Sequence, residues 1–312
     1  MQANANIKKH GLFGFGKRIL TCARMLRVHQ WLKNGLLFVP LLLSHQFSNV
    51  NLWHGLIIAF IAFSLCASSV YIINDILDIE SDRAHPRKCK RPFASGEVPI
   101  WVGVLLAPVL LLTSVVLAHQ VGGTFFSWML FYFGVTLAYS WKLKNIMLVD
   151  CVLLAMLYTL RIIAGGSIGT VGSSFWLLAF SVFIFLSLAF VKRYAELQVL
   201  ALAGKEKNTR RGYFVSDAPM IQMLGIASGF AAAVVLALYL NSEKIVVLYR
   251  MPILIWGVIP IFIFWISWVW MKAHRGEMHD DPLIFAIKDK ASLLSGIAFV
   301  CVLMLGTVGI TW

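Results

Sequence analysis

The sequence predicts an all-α, polytopic membrane protein of about nine transmembrane helices, and three observations predict it. Hydrophobic residues make up 60% of the 312 and charged residues only 13%, about half the charged share of a soluble domain. Apolar runs long enough to cross a bilayer recur along the whole chain. The cations fall between alternate runs, as the positive-inside rule requires of a multi-pass protein.

Taken in order, the runs are 31–47, 52–77, 99–118, 123–141, 146–166, 172–191, 219–241, 250–271 and 291–311. The first is the shortest, and charge placement retains it. Of the 27 Lys and Arg, all but Arg161, Lys244 and Arg250 fall in residues 1–33, 78–98, 142–145, 192–218 and 272–290. With nine spans an even number of crossings separates these groups, so all lie on the cytoplasmic side. Dropping 31–47 would set the basic N-terminus opposite the basic 78–98 loop. Residues 1–30 read as a cytoplasmic or interfacial segment, with Leu12 to Leu26 able to lie on anionic lipid as an amphipathic helix. Residues 31–312 read as one transmembrane domain in the inner or plasma membrane. The N-terminus lacks the compact apolar core and cleavage site of a secretory signal. Five scattered cysteines exclude a disulfide framework or a zinc site. The acids gather beside the basic segments, so the chemistry is expected at a cytoplasmic mouth.

The most informative stretch runs from Asn74 through Asp75, Asp78 and Asp82 at the end of the second span. Spacings of three and four put the three carboxylates on one face of a continuing helix. Like charges there repel one another and the negative end of the helix dipole. A cation among them relieves this, and oxygen-only ligands indicate Mg²⁺. A solvated helix end is the bland alternative. A basic run with two prolines, Arg83 to Pro92, follows at once. Positive-inside bias explains its charge, and phosphate binding by Arg and Lys explains it equally well.

Asn-Asp-x-x-Asp-x-x-x-Asp at this place resembles the first aspartate motif of the UbiA-type prenyltransferase superfamily. The longer string from Asn74 through His85-Pro86, Lys88 and Arg91-Pro92 to Gly96 is similar to the decaprenyl-phosphate phosphoribosyltransferase branch. Arg27-x-x-Gln30-Trp31-x-Lys33-Asn34, Tyr139-Ser140-x-x-Leu143-Lys144, Leu160-Arg161-x-x-Ala164-Gly165 and Lys192-Arg193-Tyr194-Ala195-Glu196-Leu197 extend the likeness over most of the chain. It implies helices around a central cavity that opens to the cytoplasmic side. It also implies Mg²⁺-dependent transfer of 5-phosphoribose from phosphoribosyl pyrophosphate to a polyprenyl phosphate in polysaccharide or cell-wall precursor synthesis. Asp75, Asp78 and Asp82 would be metal ligands. Asn74, His85, Lys88, Arg91, Lys192, Arg193 and Tyr194 would bind substrate. Glu196 is left with two roles, binding metal or orienting the ribose hydroxyls. The sequence departs from the pattern in two places. Lipid-quinone members carry a second Asp-x-x-x-Asp after the sixth span, where this chain has Lys-Arg-Tyr-Ala-Glu. Val28 stands where the branch usually has Pro.

Arg161 lies well inside the fifth run, where an Arg usually faces a polar cavity or a partner. Asp150, Leu154, Tyr158 and Arg161 share a face. Arg161 is read as a deep anchor for a substrate phosphate, against a structural Arg bound to carbonyls. Lys33 is assigned to phosphate contact. Tyr139 and Lys142 lie at the same mouth, where interfacial snorkelling is the alternative. The lipid bilayer is a partner on this reading, nucleic acid is not, and a homo-oligomer is compatible with it. A prenyl diphosphate donor with an aromatic or other small acceptor is the first alternative, and a transporter is the second.

Overall fold

The computed structural model describes residues 20–44, 46, 48–84, 88–169, 174–207, 211–242, 249–278 and 281–308. Eight long helices follow in order. They are α1 (Val50–Leu77), α2 (Ile100–Val121), α3 (Gly123–Trp141), α4 (Val149–Gly166), α5 (Phe175–Leu202), α6 (Ala218–Leu240), α7 (Val258–His274) and α8 (Lys290–Val308). Among the described residues, seven helices are long and apolar enough to cross a membrane, and they match seven of the nine expected runs. The run 123–141 forms α3. The run 31–47 does not form one long helix. A 3₁₀ helix covers Val28–Phe38, and a short α-helix follows over Val39–Leu43.

The chain folds as two compact units, Met1–Ser140 with Arg161–Gly172, and Trp141–Leu160 with Ser173–Trp312. In the first unit α1 is the hub, because its small residues let backbones approach closely. Ser69 donates to the Ala107 carbonyl at 2.8 Å, and Ser114 of α2 donates to the Ala62 carbonyl at 2.8 Å. Ser64 and Ser68, one turn apart, serve the N-terminal segment. Asn34 Nδ2 donates to Ser64 and Trp31 Nε1 to Ser68, both at 3.0 Å, while Ser68 donates to the Leu26 carbonyl. These side-chain bonds pin the 3₁₀ segment along α1.

The end of α4 closes on the same segment at Gly165. A methyl group there would sit 2.0 Å from the Leu37 carbonyl oxygen. Backbone cannot yield as a side chain can, so Gly165→Ala is expected to cost at least about 1–3 kcal/mol by overpacking. Thermal melting of the detergent-solubilised protein checks this, and an unchanged midpoint would count against the packing described.

In the second unit α5 and α6 form the main pair. Ser187 donates to the Gly225 carbonyl at 2.7 Å and accepts from Trp270 Nε1 of α7 at 3.1 Å. Gly225 is small for the same reason as Gly165: a methyl group would meet the Trp270 ring at 2.1 Å. Asp289 caps α8, accepting from the Ser292 N–H at 2.8 Å and from Trp268 Nε1 at 3.0 Å. Partial burial would raise its pKa, but these bonds prevail and hold the carboxyl below its usual range.

Candidate active site

At the C-terminal end of α1 the i→i−4 bonding continues through Asp78, whose N–H donates to the Asn74 carbonyl. Asp78 (φ −93°, ψ 9°) nevertheless breaks α1 from the short helix Ile79–Arg83. Asp75 and Asp82, seven residues apart, still share a face. Both are buried, with 3% and 1% exposure. Two buried carboxylates need counter-charge, and arginines supply it. Arg91 Nη1 lies 2.9 Å from Asp75 Oδ1 and 2.5 Å from Asp82 Oδ2, and Arg27 pairs with Asp75.

The loop after Asp82 positions Arg91. Phe93 is buried in a cluster with Met25, Ile72 and Ala107, which folds the chain back under α1. Arg83 Nε donates to the Ala94 carbonyl at 3.2 Å, and the Arg91 N–H donates to the Lys88 carbonyl at 2.9 Å. Glu97 of the same loop holds Thr21 and Arg24 of the N-terminal helical turn. Arg27 ends that turn in the left-handed region (φ 51°, ψ 47°) and caps the 3₁₀ helix. Its guanidinium lies over the Tyr71 ring, 4.9 Å from the centroid.

Among the described residues, no three His, Cys, Asp or Glu side chains are gathered as a metal cluster. The expected triad is therefore seen as a pair, Asp75 and Asp82, with Asp78 beside it at the helix break. The donor set fits a hard cation all the same. It consists of carboxylate oxygens, and two of them converge on one cationic nitrogen, Arg91 Nη1.

Deeper in this unit Arg161, 4% exposed, donates from Nε to Asn34 Oδ1 at 2.9 Å and from Nη2 to the Tyr132 hydroxyl at 2.8 Å. The Tyr132 and Phe63 rings lie 4.7 and 5.8 Å from its guanidinium carbon. Asn34, which carried no role in the sequence reading, links this arginine to Ser64 of α1. Lys33, Asn74, Lys88 and Tyr139 are all half-buried in the same unit. His85 lies outside the described residues.

The second unit holds its own buried network. Arg193 and Asp150 are fully buried and paired, and Arg193 also pairs with Glu196. Tyr213 donates to Asp150 Oδ1 at 2.6 Å and accepts from the Leu148 N–H at 2.7 Å. Burial raises the pKa of the Tyr213 hydroxyl, and Cys151 and Asp150 push the same way, so it stays protonated as a donor. Arg211 stands 3.8 Å from both Asp150 and Glu196. The charge on Arg193, expected on a substrate phosphate, is thus engaged inside the protein. Asp150 pairs with Arg193 and not with Arg161, despite the helical face that Asp150 and Arg161 share. Tyr194 is buried against His274 and Gln198, Lys192 reaches Asp281 at 3.5 Å, and Lys142 is exposed.

Sequence reasoning gave no role to Arg27, Arg211 or Tyr213, and named Asp150 only for the helical face it shares with Arg161. Arg27 stood in a quoted motif, and an acid in the first turn of an apolar helix was a signal for Asp150.

Long apolar helices, each unit with buried ion pairs near helix ends, and an aspartate–arginine cluster define a polytopic helical membrane protein with a charged site. A model described as the UbiA prenyltransferase family matches residues 36–288. The chain belongs to that family. It is 38% identical over 273 residues to protein y4nM of Sinorhizobium fredii, covering 87% of this chain and 53% of that one. It is 35% identical over 287 residues to nodulation protein NoeC of Azorhizobium caulinodans, covering 88% and 89%. To the decaprenyl-phosphate phosphoribosyltransferase of Mycolicibacterium smegmatis it is 36% identical over 185 residues, 58% of each chain. The chain thus spans little more than half the length of two of these relatives. Among solved structures, a UbiA homolog from Archaeoglobus fulgidus bound to GPP and Mg²⁺ shares the fold, with a TM-score of 0.66 and 18% identity over 90% of this chain and 99% of that one.

Proposed function

We propose that this enzyme moves 5-phosphoribose from phosphoribosyl pyrophosphate to a polyprenyl phosphate of decaprenyl type and releases pyrophosphate, in the synthesis of polysaccharide or cell-wall precursors. The observation that carries the reading is the 36% identity over 185 residues to a decaprenyl-phosphate phosphoribosyltransferase.

Asp75 and Asp82, with Asp78 beside them, would hold Mg²⁺, which when bound neutralises the leaving pyrophosphate. Arg27, Lys88 and Arg91 bring cations to the same end of α1, and guanidinium groups bind phosphate oxygens in pairs. The C1–O bond to pyrophosphate breaks, ribose passes through an oxocarbenium-like state, and an oxygen of the acceptor phosphate forms the new C1–O bond. A phosphate monoester has a second pKa of about 6 and is largely dianionic at neutral pH. No side chain has to remove a proton. Arg161, Lys33 and Tyr139 of the first unit are assigned to substrate phosphate.

We read residues 31–312 as one transmembrane domain, because the family match runs across both units. Positive-inside bias supports a multi-pass cell-membrane protein with its N-terminus and the aspartate end of α1 at the cytoplasmic face. A second reading, transfer of a prenyl group from its diphosphate to a small acceptor, is favoured by the GPP-bound structure that shares this fold. Transfer of label from phosphoribosyl pyrophosphate into lipid by the purified protein separates the two.

A further inference from the structure

Asp75 and Asp82 are almost fully enclosed, yet each already accepts from arginine, Asp75 from two. The four charges sum to zero. A divalent cation entering alone would leave this low-dielectric site with an excess of two positive charges. A cation entering with a diphosphate would not, because the anion offers the arginines new partners. Arg27 is held to Asp75 in a left-handed backbone conformation that a non-glycine residue adopts at a cost. Its ion pair and the Tyr71 ring stabilise that conformation, so leaving Asp75 lets the turn relax.

We infer that Arg27 and Arg91 are exchangeable counter-ions. They occupy the aspartate carboxylates in the resting enzyme and pass to the phosphate oxygens of the donor when a cation loads, so that cation and diphosphate bind together. This rests on the reading of Asp75 and Asp82 as a cation site. It assigns a donor-binding role to Arg27, which the site reading from the sequence left out. Arg91 gains a second role, because its resting partners are the two aspartates.

The test is Mn²⁺ alone, titrated into purified protein without any diphosphate, with free Mn²⁺ read by electron paramagnetic resonance. Arg91→Gln is expected to bind at least about tenfold tighter than the unmodified protein, on the scale of one lost charge pair at a few ångströms. Its metal-free melting temperature should fall and be restored by Mn²⁺. Arg27→Gln should shift the same way and to a lesser degree, since Asp75 keeps Arg91. It serves as the second variant should Arg91→Gln not fold. If both bind Mn²⁺ no tighter than the unmodified protein, the counter-ion exchange is wrong. If Arg91→Gln binds tightly and the double variant Arg91→Gln/Asp75→Asn binds equally tightly, the ion sits elsewhere and the cation-site reading itself falls.

Discussion

Asp75→Asn is expected to lower label transfer at least about a hundredfold, the scale of removing one preorganised electrostatic group from a reacting centre. The substitution keeps the size of the side chain and removes one charge. Asp75 is where Arg27 and Arg91 meet, and it supplies one of the two carboxylate oxygens that converge on Arg91 Nη1. Both arginines retain some access to water, with 18% and 24% of their side chains exposed. The variant should therefore stay folded, as size-exclusion profile and melting curve would show. Turnover within twofold of the parent, in a folded variant, would remove the aspartates from the chemistry.

Arg193→Met is expected to have the largest effect on stability. Removing one partner of a buried ion pair typically costs about 3–5 kcal/mol, because the other charge is left without compensation. Here the stranded group is Asp150, which is fully enclosed and among the described residues would keep Tyr213 and the more distant Arg211. Replacing both members, as Asp150→Asn/Arg193→Met, should recover much of the loss, since no buried charge is then left over at that point. Denaturant unfolding of the single and double variants measures the coupling. Additive losses would mean that the pair does not act as a unit. This places Arg193 among the residues that hold the second unit together, although its motif suggested phosphate binding.

Much of the helical architecture was legible because apolar length is a property of the sequence alone, and seven of the nine expected runs became long apolar helices. The winding of the first run was not. Trp31 and Asn34 gain bonds to serines of α1, and those bonds hold a 3₁₀ segment that hydropathy does not reveal. The aspartate pair was legible from spacing, since residues seven apart share a helical face whether or not the helix breaks between them. Its arginines were legible only in part. Arg91 stood in the adjacent basic run, whereas Arg27 reaches Asp75 across 48 residues through a left-handed backbone. Periodicity set Asp150 on the same face as Arg161. Its partners instead come from 43 and 63 residues away, contacts that no local pattern encodes.

The identity of the transferred group decides the function. The measurement is label transfer by purified protein in lipid with Mg²⁺, run in two tubes. One holds labelled phosphoribosyl pyrophosphate with polyprenyl phosphate, the other labelled polyprenyl diphosphate with an aromatic acid. EDTA-sensitive movement of label into the lipid phase is expected in the first tube only. Turnover confined to the second would contradict it and make the enzyme a prenyl donor transferase.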